Sequence, residues 1–337
     1  MRIAVIGTGV VGLASAIRLR QDLNASVSVF YRDDLPSTTS SRAGAVFTPF
    51  DGGTNEPWIR ESLARFRDLA QTTPASGVTI GTALEYLAPN QPMPRWPTLV
   101  GDVQPLPPLE GTGAGFRVQV PFIDMTVYLP WLKAHAQALG IAFVQRGFTS
   151  LAELRSLPVD LVINCSGLGA RELVPDPFVR PMRGQLLHDE NTLNLREAIA
   201  AADLLGGVTY IYPFRTHIVL GGTYEPDIAL CQTEPTAIEL ILTRCKALLR
   251  ATGHPSWQRL GERRIRTVAG LRPARIIDNR CETVRLEVEP AQPSSDTNSP
   301  THGSSRPTII HNYGHGRAGV TLSWGTAAHV LQLARTL

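Results

Sequence analysis

Apolar residues at the start of the chain follow a strand pattern, then a helix pattern, then a strand pattern again. Residues 2–6 form a short apolar run, residues 10–22 place apolar side chains at helical spacing, and residues 27–30 form a second apolar run. This order predicts a βαβ unit. The same apolar patterns predict further strands at 142–144, 161–165 and 308–310 and a further helix at 320–336.

The middle of the chain has a different pattern, with short strands in place of βαβ units. Between residues 83 and 123, eight prolines separate short apolar runs, which is typical of antiparallel strands joined by turns. Strand signals return at 206–222. Residues 289–307 are rich in Ser, Pro and Thr without periodicity and predict a mobile surface insertion. Helices are predicted at 57–72, at 125–139 after the N-cap Asp124, and at 234–251.

Length predicts about two domains and composition favours a soluble globular protein, while the lack of targeting signals and the cysteine usage favour a cytoplasmic location. The net charge of +3 is small and the basic residues of the 337-residue chain are scattered, so no nucleic-acid partner is expected. No apolar run approaches the ~18 residues of a membrane span, no signal peptide precedes the first strand, and the C-terminus is not Ser-Lys-Leu. Four cysteines without a C-x-x-C pair predict reduced thiols and no metal site.

A glycine-rich turn joins the first predicted strand to the first predicted helix. Residues 7–12 read Gly-Thr-Gly-Val-Val-Gly, and in this position the pattern predicts a dinucleotide site. Gly7 makes the tight turn, Gly9 lets the pyrophosphate approach, and Gly12 lets the helix pack closely on the sheet. Asp33, which ends the second strand, is the candidate for the ribose hydroxyls, with a plain turn residue as the alternative. The pattern alone leaves NAD(P) and FAD open.

A second glycine-rich segment, from His311 to Thr321, joins the last predicted strand to the last predicted helix. A helix N-terminus at this point would stabilise the negative charge of a reduced flavin. Together with four other stretches, the segment resembles the D-amino-acid oxidase family, which includes D-aspartate oxidase and is related to glycine oxidase. The matching stretches are Val5–Leu13, Arg183-Gly184-Gln185, Leu220–Thr223, Gly270–Arg275, and Asn312–Gly316 with Trp324-Gly325.

The resemblance covers nearly the whole chain and implies a fold and a reaction. The fold is α/β (α+β overall), with a Rossmann-like FAD-binding domain interleaved with a substrate domain on a mainly antiparallel sheet. The reaction is the oxidative deamination of D-amino acids by hydride transfer from the substrate Cα to flavin N5. The products are a 2-oxo acid, ammonia and, after reoxidation by dioxygen, hydrogen peroxide. The implied bounds are 1–50, 131–180 and 269–337 for the FAD-binding domain and 51–130 and 181–268 for the substrate domain.

The resemblance also assigns residues to the substrate. Arg272 matches the arginine that binds the substrate carboxylate, a task that suits a planar guanidinium. Tyr210 matches a tyrosine that contacts the same carboxylate, and Tyr212, two residues on, should face the same pocket. The backbone carbonyl of Arg317 matches the acceptor of the substrate amine. Tyr224 stands where the acidic-substrate branch tends to carry arginine, so a neutral or apolar side chain is favoured over D-aspartate.

The remaining implied site residues contact FAD. His311 and His315 are expected to shape the loop near the flavin by hydrogen bonds rather than to act as general bases. The implied FAD contacts are Gly7, Gly9, Val10, Val11 and Gly12 at the pyrophosphate, Asp33 at the ribose, Ser40, Ser41 and Thr48 along the cofactor, Phe148 at the adenine, Ser166 and Gly167 after a strand, and Gly316, Gly319, Val320 and Thr321 at the flavin.

Several other functions stay open at the level of sequence. They are a D-aspartate or D-glutamate oxidase, a glycine or sarcosine oxidase-like amine oxidase, a dehydrogenase that reduces a quinone, a nicotinamide-linked dehydrogenase, and a flavoprotein without turnover. The expected partners are a D-amino acid and dioxygen, with no nucleic acid and no membrane. A homodimer is also left open.

Overall fold

The computed structural model describes residues 1–49, 56–262, 266–278, 283–290 and 306–337. Six strands in these ranges form the first sheet. They are β1 (Arg2–Ile6), β2 (Ser26–Tyr31), β6 (Ala142–Gln145), β7 (Leu161–Asn164), β14 (Arg285–Val288) and β15 (Thr308–Tyr313). Their order across the sheet is β14-β15-β7-β1-β2-β6, and all neighbours are parallel except β14, which runs antiparallel to β15.

The second sheet is mainly antiparallel. Its strands are β3 (Val78–Tyr86), β4 (Gln104–Leu106), β5 (Gly115–Ile123), β8 (Val179–Glu190), β9 (Ala198–Ala201), β10 (Thr209–Pro213), β11 (His217–Gly221), β12 (Glu225–Pro226) and β13 (Arg266–Arg275). Their order is β12-β8-β11-β10-β9-β3-β5-β4, with β13 also paired to β8 and only β3 and β9 parallel to each other.

Helices cover both sheets. They are α1 (Val10–Leu23), α2 (Glu56–Thr72), α3 (Trp96–Val100), α4 (Met125–Ala138), α5 (Leu151–Arg155), α6 (Ala170–Leu173), α7 (Pro235–Ala251) and α8 (Gly319–Arg335). The last helix packs against both α1 and α2, and α7 packs against β8, β10 and β11. The Asp124 carboxylate accepts a hydrogen bond from the Thr126 N–H at 3.0 Å and so caps α4.

Burial explains why these segments form their elements. The strand β1 is buried along almost its whole length, as expected for a central parallel strand with helices on its faces. One hydrophobic cluster contains Val5 and Val29 of the first sheet together with Val118 and Val120 of the second. The two sheets therefore share a core, and the space between them can be enclosed by protein on both sides.

The predicted mixed architecture is confirmed: a largely parallel sheet and a mainly antiparallel sheet are built from segments that alternate along the chain. The expected domain boundary at residue 269 falls inside β13, and residues 269–275 pair with β8 in the antiparallel sheet. Of the insertion expected at 289–307, residues 291–305 lie outside the described ranges.

Candidate functional site

The turn between β1 and α1 brings three backbone segments very close together. Gly7 has a φ of +113°, and a Cβ atom there would lie 2.5 Å from the Cys165 carbonyl oxygen. A Cβ atom on Gly12 would lie 2.1 Å from the carbonyl oxygen of Gly7. Side chains at these two positions would push the helix away from the sheet, so this packing requires the glycine pattern.

The loop after β2 covers this turn. Ser40 Oγ accepts a hydrogen bond from the Val10 N–H at 3.0 Å, and a Cβ atom on Gly9 would lie 3.2 Å from the same oxygen. Ser41, expected to contact the cofactor as well, turns away: its hydroxyl donates to the Pro36 and Thr38 carbonyls, and its side chain does not line the cavity described below. A 3-10 turn over Thr39–Arg42 places neighbouring hydroxyls on different sides.

The far end of the nucleotide region contains one acidic and several aromatic and basic side chains. Asp33 lies at the cavity wall but pairs with Arg32 at 2.9 Å, and both side chains are exposed. The Phe148 ring packs edge-to-face on Phe30 with centroids 5.5 Å apart, and the Arg146 guanidinium lies over it at 4.8 Å. This group forms an amphipathic wall of the kind that an adenosine can contact.

Two further segments line the same cavity. Ser166 follows β7, and its buried hydroxyl oxygen has no hydrogen-bond partner among the described residues. Gly167 beside it has a φ of +59°. At the other segment, the first turn of α8 contributes Gly319, Val320 and Thr321, preceded by Gly316 with a φ of +54°. An unpartnered hydroxyl and a helix N-terminus both favour a bound group with acceptor atoms and negative charge.

The antiparallel sheet contributes the opposite end of the cavity. Arg272 of β13 donates to the Thr223 carbonyl at 3.3 Å, and its guanidinium lies next to the Tyr210 hydroxyl. Gly184 on the paired strand makes room for it, because a Cβ atom there would lie 2.3 Å from the guanidinium nitrogens. The rings of Tyr210 and Tyr212 stack with centroids 4.5 Å apart. These side chains face the cavity together, as their two-residue spacing predicts.

One cavity of about 960 Å³ joins the nucleotide end to the Arg272 end. This volume lies at the upper end of the range for cofactor and ligand sites and can hold a dinucleotide beside a small substrate. Within the described ranges, no cluster of three or more His, Cys, Asp or Glu side chains could hold a metal ion. No helix there is long and apolar enough to cross a membrane.

The family model described as FAD dependent oxidoreductase matches residues 2–333 of the chain. The chain belongs to the FAD-dependent oxidoreductase family. Its cofactor is FAD, and the residues fit this group: glycines where the pyrophosphate must approach, the unpartnered Ser166 hydroxyl, and the N-terminus of α8 at the flavin end.

Relatives of this oxidoreductase match it over nearly their full length. The D-amino-acid oxidase of Streptomyces coelicolor is 34% identical over 337 residues, which cover 98% of this chain and 96% of the relative. The D-amino-acid oxidase of Rubrobacter xylanophilus is 36% identical over 342 residues, with 99% and 95% covered. The glycine oxidase structure from Geobacillus kaustophilus has a TM-score of 0.74 at 18% identity, with 99% and 95% covered, and is similar in fold.

Burial determines the charge state of several groups in the oxidoreductase. It raises the pKa of the Tyr210 hydroxyl, and the Arg272 charge offsets only part of this. Burial also raises the pKa of Tyr212 well above its ordinary value. Both phenols are therefore neutral near pH 7 and can donate hydrogen bonds.

The two histidines of the C-terminal segment have structural partners. His311 hydrogen-bonds to Glu289 and, through Nδ1, to Asn164 at 3.2 Å, and it does not line the cavity. His315 lines the cavity, and its Nε2 lies 3.3 Å from Thr326 Oγ1. Burial lowers the pKa of His315 to about 4. These partners agree with hydrogen bonds that shape the loop.

Arg317 lies at the rim of the cavity. Its side chain is exposed, and its guanidinium carbon lies 5.8 Å above the Tyr224 ring. Thr48, expected along the cofactor, lies instead beside Glu85 and Tyr212, which places it at the Arg272 end of the cavity.

Glu85 of β3 was not anticipated from the sequence. Its side chain lines the cavity. Burial raises its pKa to about 7, and a hydrogen bond from Thr48 offsets part of the shift. The only sequence signal is one acidic residue inside the apolar run Ala83-Leu84-Glu85-Tyr86. An acid in a strand that is otherwise apolar indicates a polar space on one face.

Proposed function

We propose that this oxidoreductase converts D-amino acids with neutral or apolar side chains, water and dioxygen to 2-oxo acids, ammonia and hydrogen peroxide. The observation that carries the proposal is the pairing of Arg272 with Tyr210 at one end of a cavity whose other end fits FAD. The names of the two bacterial relatives, both D-amino-acid oxidases, support it.

The residues at the Arg272 end can bind and orient an amino acid. The Arg272 guanidinium and the neutral Tyr210 hydroxyl donate to the substrate carboxylate, and the Arg317 carbonyl accepts from the substrate amine. Holding both groups fixes the position of Cα, which is the main contribution these residues make to the rate. Bound FAD supplies the acceptor for the electron pair. No general base is required if the amine binds in its neutral form, and His311 and His315 keep their structural roles.

The charge of Glu85 disfavours the acidic-substrate alternative. Above its pKa of about 7 the Glu85 carboxylate is ionised and repels the side chain of D-aspartate or D-glutamate. The Arg317 guanidinium, which could attract an acidic side chain, lies over the Tyr224 ring at the rim. The cytoplasmic location stays a prediction that rests on the sequence alone, and the homodimer stays an open alternative.

The test is peroxide release by the purified, FAD-loaded protein with D- and L-amino acids, glycine and sarcosine. We expect release with neutral D-amino acids and little with their L-forms or with sarcosine. Turnover of sarcosine or glycine alone would contradict the proposal, and so would reduction of a quinone without peroxide. A preference for D-aspartate would contradict the predicted side-chain class.

A further inference from the structure

One row of residues crosses three strands of the antiparallel sheet on the face that borders the cavity. Tyr210 of β10 is paired with Ala200 of β9, and Ala200 is paired with Glu85 of β3. Residues paired across strands point to the same face, and all three line the cavity. Because neighbouring strands lie about 4.8 Å apart, the Cα atoms of Tyr210 and Glu85 are about 10 Å apart.

Glu85 has no cation among its neighbours in the described part of the chain. Its pKa responds to burial and to Thr48, and no Lys, Arg or His contributes. On the two neighbouring strands, Glu85 is paired with Phe116 of β5 and with Ala200 of β9. The titratable side chain that interacts with Glu85 is Tyr212, and its hydroxyl stays neutral. A poorly solvated carboxylate of this kind is stabilised by any cation that reaches it.

The row therefore has Tyr210, with the Arg272 cation beside it, at one end and the Glu85 carboxyl group at the other. We infer that the pocket also accepts D-amino acids with a long cationic side chain, such as D-arginine and D-lysine, and that Glu85 is the specificity-determining residue that binds the cation. This inference rests on the proposed function, because the α-carboxylate must first lie at Arg272 and Tyr210.

The space between the two ends suits such a side chain. Ala200, in the middle of the row, contributes only a methyl group, so the floor of the pocket is open between Tyr210 and Glu85. The stacked Tyr210 and Tyr212 rings provide an apolar wall for the methylene groups of the substrate.

The first experiment compares D-arginine with D-citrulline, which has the same shape without the charge. At pH 8.5 we expect kcat/KM for D-arginine to exceed that for D-citrulline by about 10- to 100-fold, the range of a charge-assisted hydrogen bond. In Glu85→Gln the ratio should fall to near one, because the charge that separates the two substrates is gone. Glu197→Gln, which removes an acid that pairs with Arg117 outside the cavity, is the control and should keep the ratio.

The selectivity should also depend on pH. Since the pKa of Glu85 is about 7, its carboxylate is charged above that pH and neutral below it. The D-arginine to D-citrulline ratio should therefore fall as the pH is lowered from 9 to 6. The inference would be overturned if the wild type had a kcat/KM for D-arginine no higher than that for D-citrulline. It would also be overturned if Glu85→Gln lowered kcat/KM for both substrates by the same factor, because Glu85 would then only position Thr48 and Tyr212.

A binding measurement separates this inference from the proposed function. The deaminated analogues 5-guanidinopentanoate and 5-ureidopentanoate cannot be oxidised, and their Kd follows from the change in flavin absorbance of the FAD-loaded protein. Tighter binding of the guanidino compound to the wild type, lost in Glu85→Gln, supports the inference even if no D-amino acid gives peroxide. Equal binding of the two analogues overturns it even if neutral D-amino acids are oxidised.

Discussion

Two arginines three residues apart on β13 have different surroundings. Arg275 donates to the Asp176 carboxylate at 2.8 Å and lies over the Phe178 ring. Arg272 donates to carbonyl oxygens, and none of its hydrogen bonds among the described residues goes to a carboxylate. Arg275 is thus neutralised within the fold, whereas Arg272 keeps its charge for an anion from outside.

Replacing Arg272 by Ala should raise KM for D-alanine by about 100-fold or more, because a charged bidentate contact with the substrate is lost. FAD should remain bound, since Arg272 lies at the far end of the cavity from the nucleotide turn. Steady-state kinetics and the flavin spectrum test this. Arg275→Ala is the matched control: it should lower the melting temperature and leave KM nearly unchanged. A KM near wild type in Arg272→Ala would remove this residue from the substrate site.

One half-buried residue, His188, makes the stability of the folded protein depend on pH. It stacks on His217 with centroids 5.4 Å apart, and burial, followed by the charge of Arg266, lowers its pKa to about 4. Because the unfolded state takes up the proton near pH 6.5 and the folded state only near pH 4, stability is lost as the pH falls between these values.

We expect His188→Gln to resist acid better than the wild type. The loss of unfolding free energy between pH 7 and pH 5 should shrink by about 1–2 kcal/mol, after allowance for partial exposure. Urea denaturation at the two pH values measures this difference. Parallel pH profiles for the two proteins would show that His188 is not the group responsible.

At the scale of elements, the backbones of α8 and α2 come unusually close together at Gly325. A Cβ atom on Gly325 would lie 2.1 Å from the Trp58 carbonyl oxygen and 2.4 Å from its Cα. The Gly325 N–H donates to Ser62 Oγ at 2.8 Å, and the Trp324 indole donates to the Tyr128 hydroxyl at 2.8 Å. Glycine here sets the distance between the two helices, and α8 in turn carries the flavin end of the site.

Gly325→Ala should destabilise the protein by about 3 kcal/mol, because backbone atoms of α2 would have to move. Ala328→Ser, a small change at a half-buried position on the same helix, should shift stability by less than about 1 kcal/mol. Denaturant unfolding with saturating FAD compares the two. Similar stabilities for both variants would mean that the helices separate more easily than the packing indicates.

Elements with local signals could be predicted from the sequence, and long-range pairings could not. The β1–α1–β2 unit has its glycines and its apolar periods within 30 residues, and it appears as predicted. The membership of β13 in the antiparallel sheet depends on its pairing with β8, about 90 residues earlier, so the boundary at 269 had no local signal. Glu85 was also missed for lack of a local signal. Its place in the pocket depends on its pairing with Ala200 and its interaction with Tyr212, which both lie more than 100 residues later in the chain.

At the scale of the whole molecule, the cavity lies between two sheets that share a core. A ligand that binds there stabilises the folded state alone, by RT ln(1 + [L]/Kd). FAD added at 100 times its Kd should raise the unfolding free energy by about 2.7 kcal/mol, and the melting temperature should rise with FAD concentration.

Gly9→Val should abolish this response and give a folded, colourless protein, because the side chain would occupy the pyrophosphate position and press on Ser40 Oγ. Thermal melts with and without FAD test the prediction. Ser41→Ala, in the same loop but outside the cavity, should keep the yellow colour and the thermal shift. A yellow Gly9→Val protein would refute the assigned site.

The strand order of the first sheet also bears on how the protein is made. β15 lies beside β7 and next but one to β1, and α8 packs on α1, so the nucleotide site joins the first 12 residues to residues 316–321. On the ribosome, the growing chain has no complete place for FAD until its last helix has emerged. FAD can therefore stabilise only those chains that already include α8.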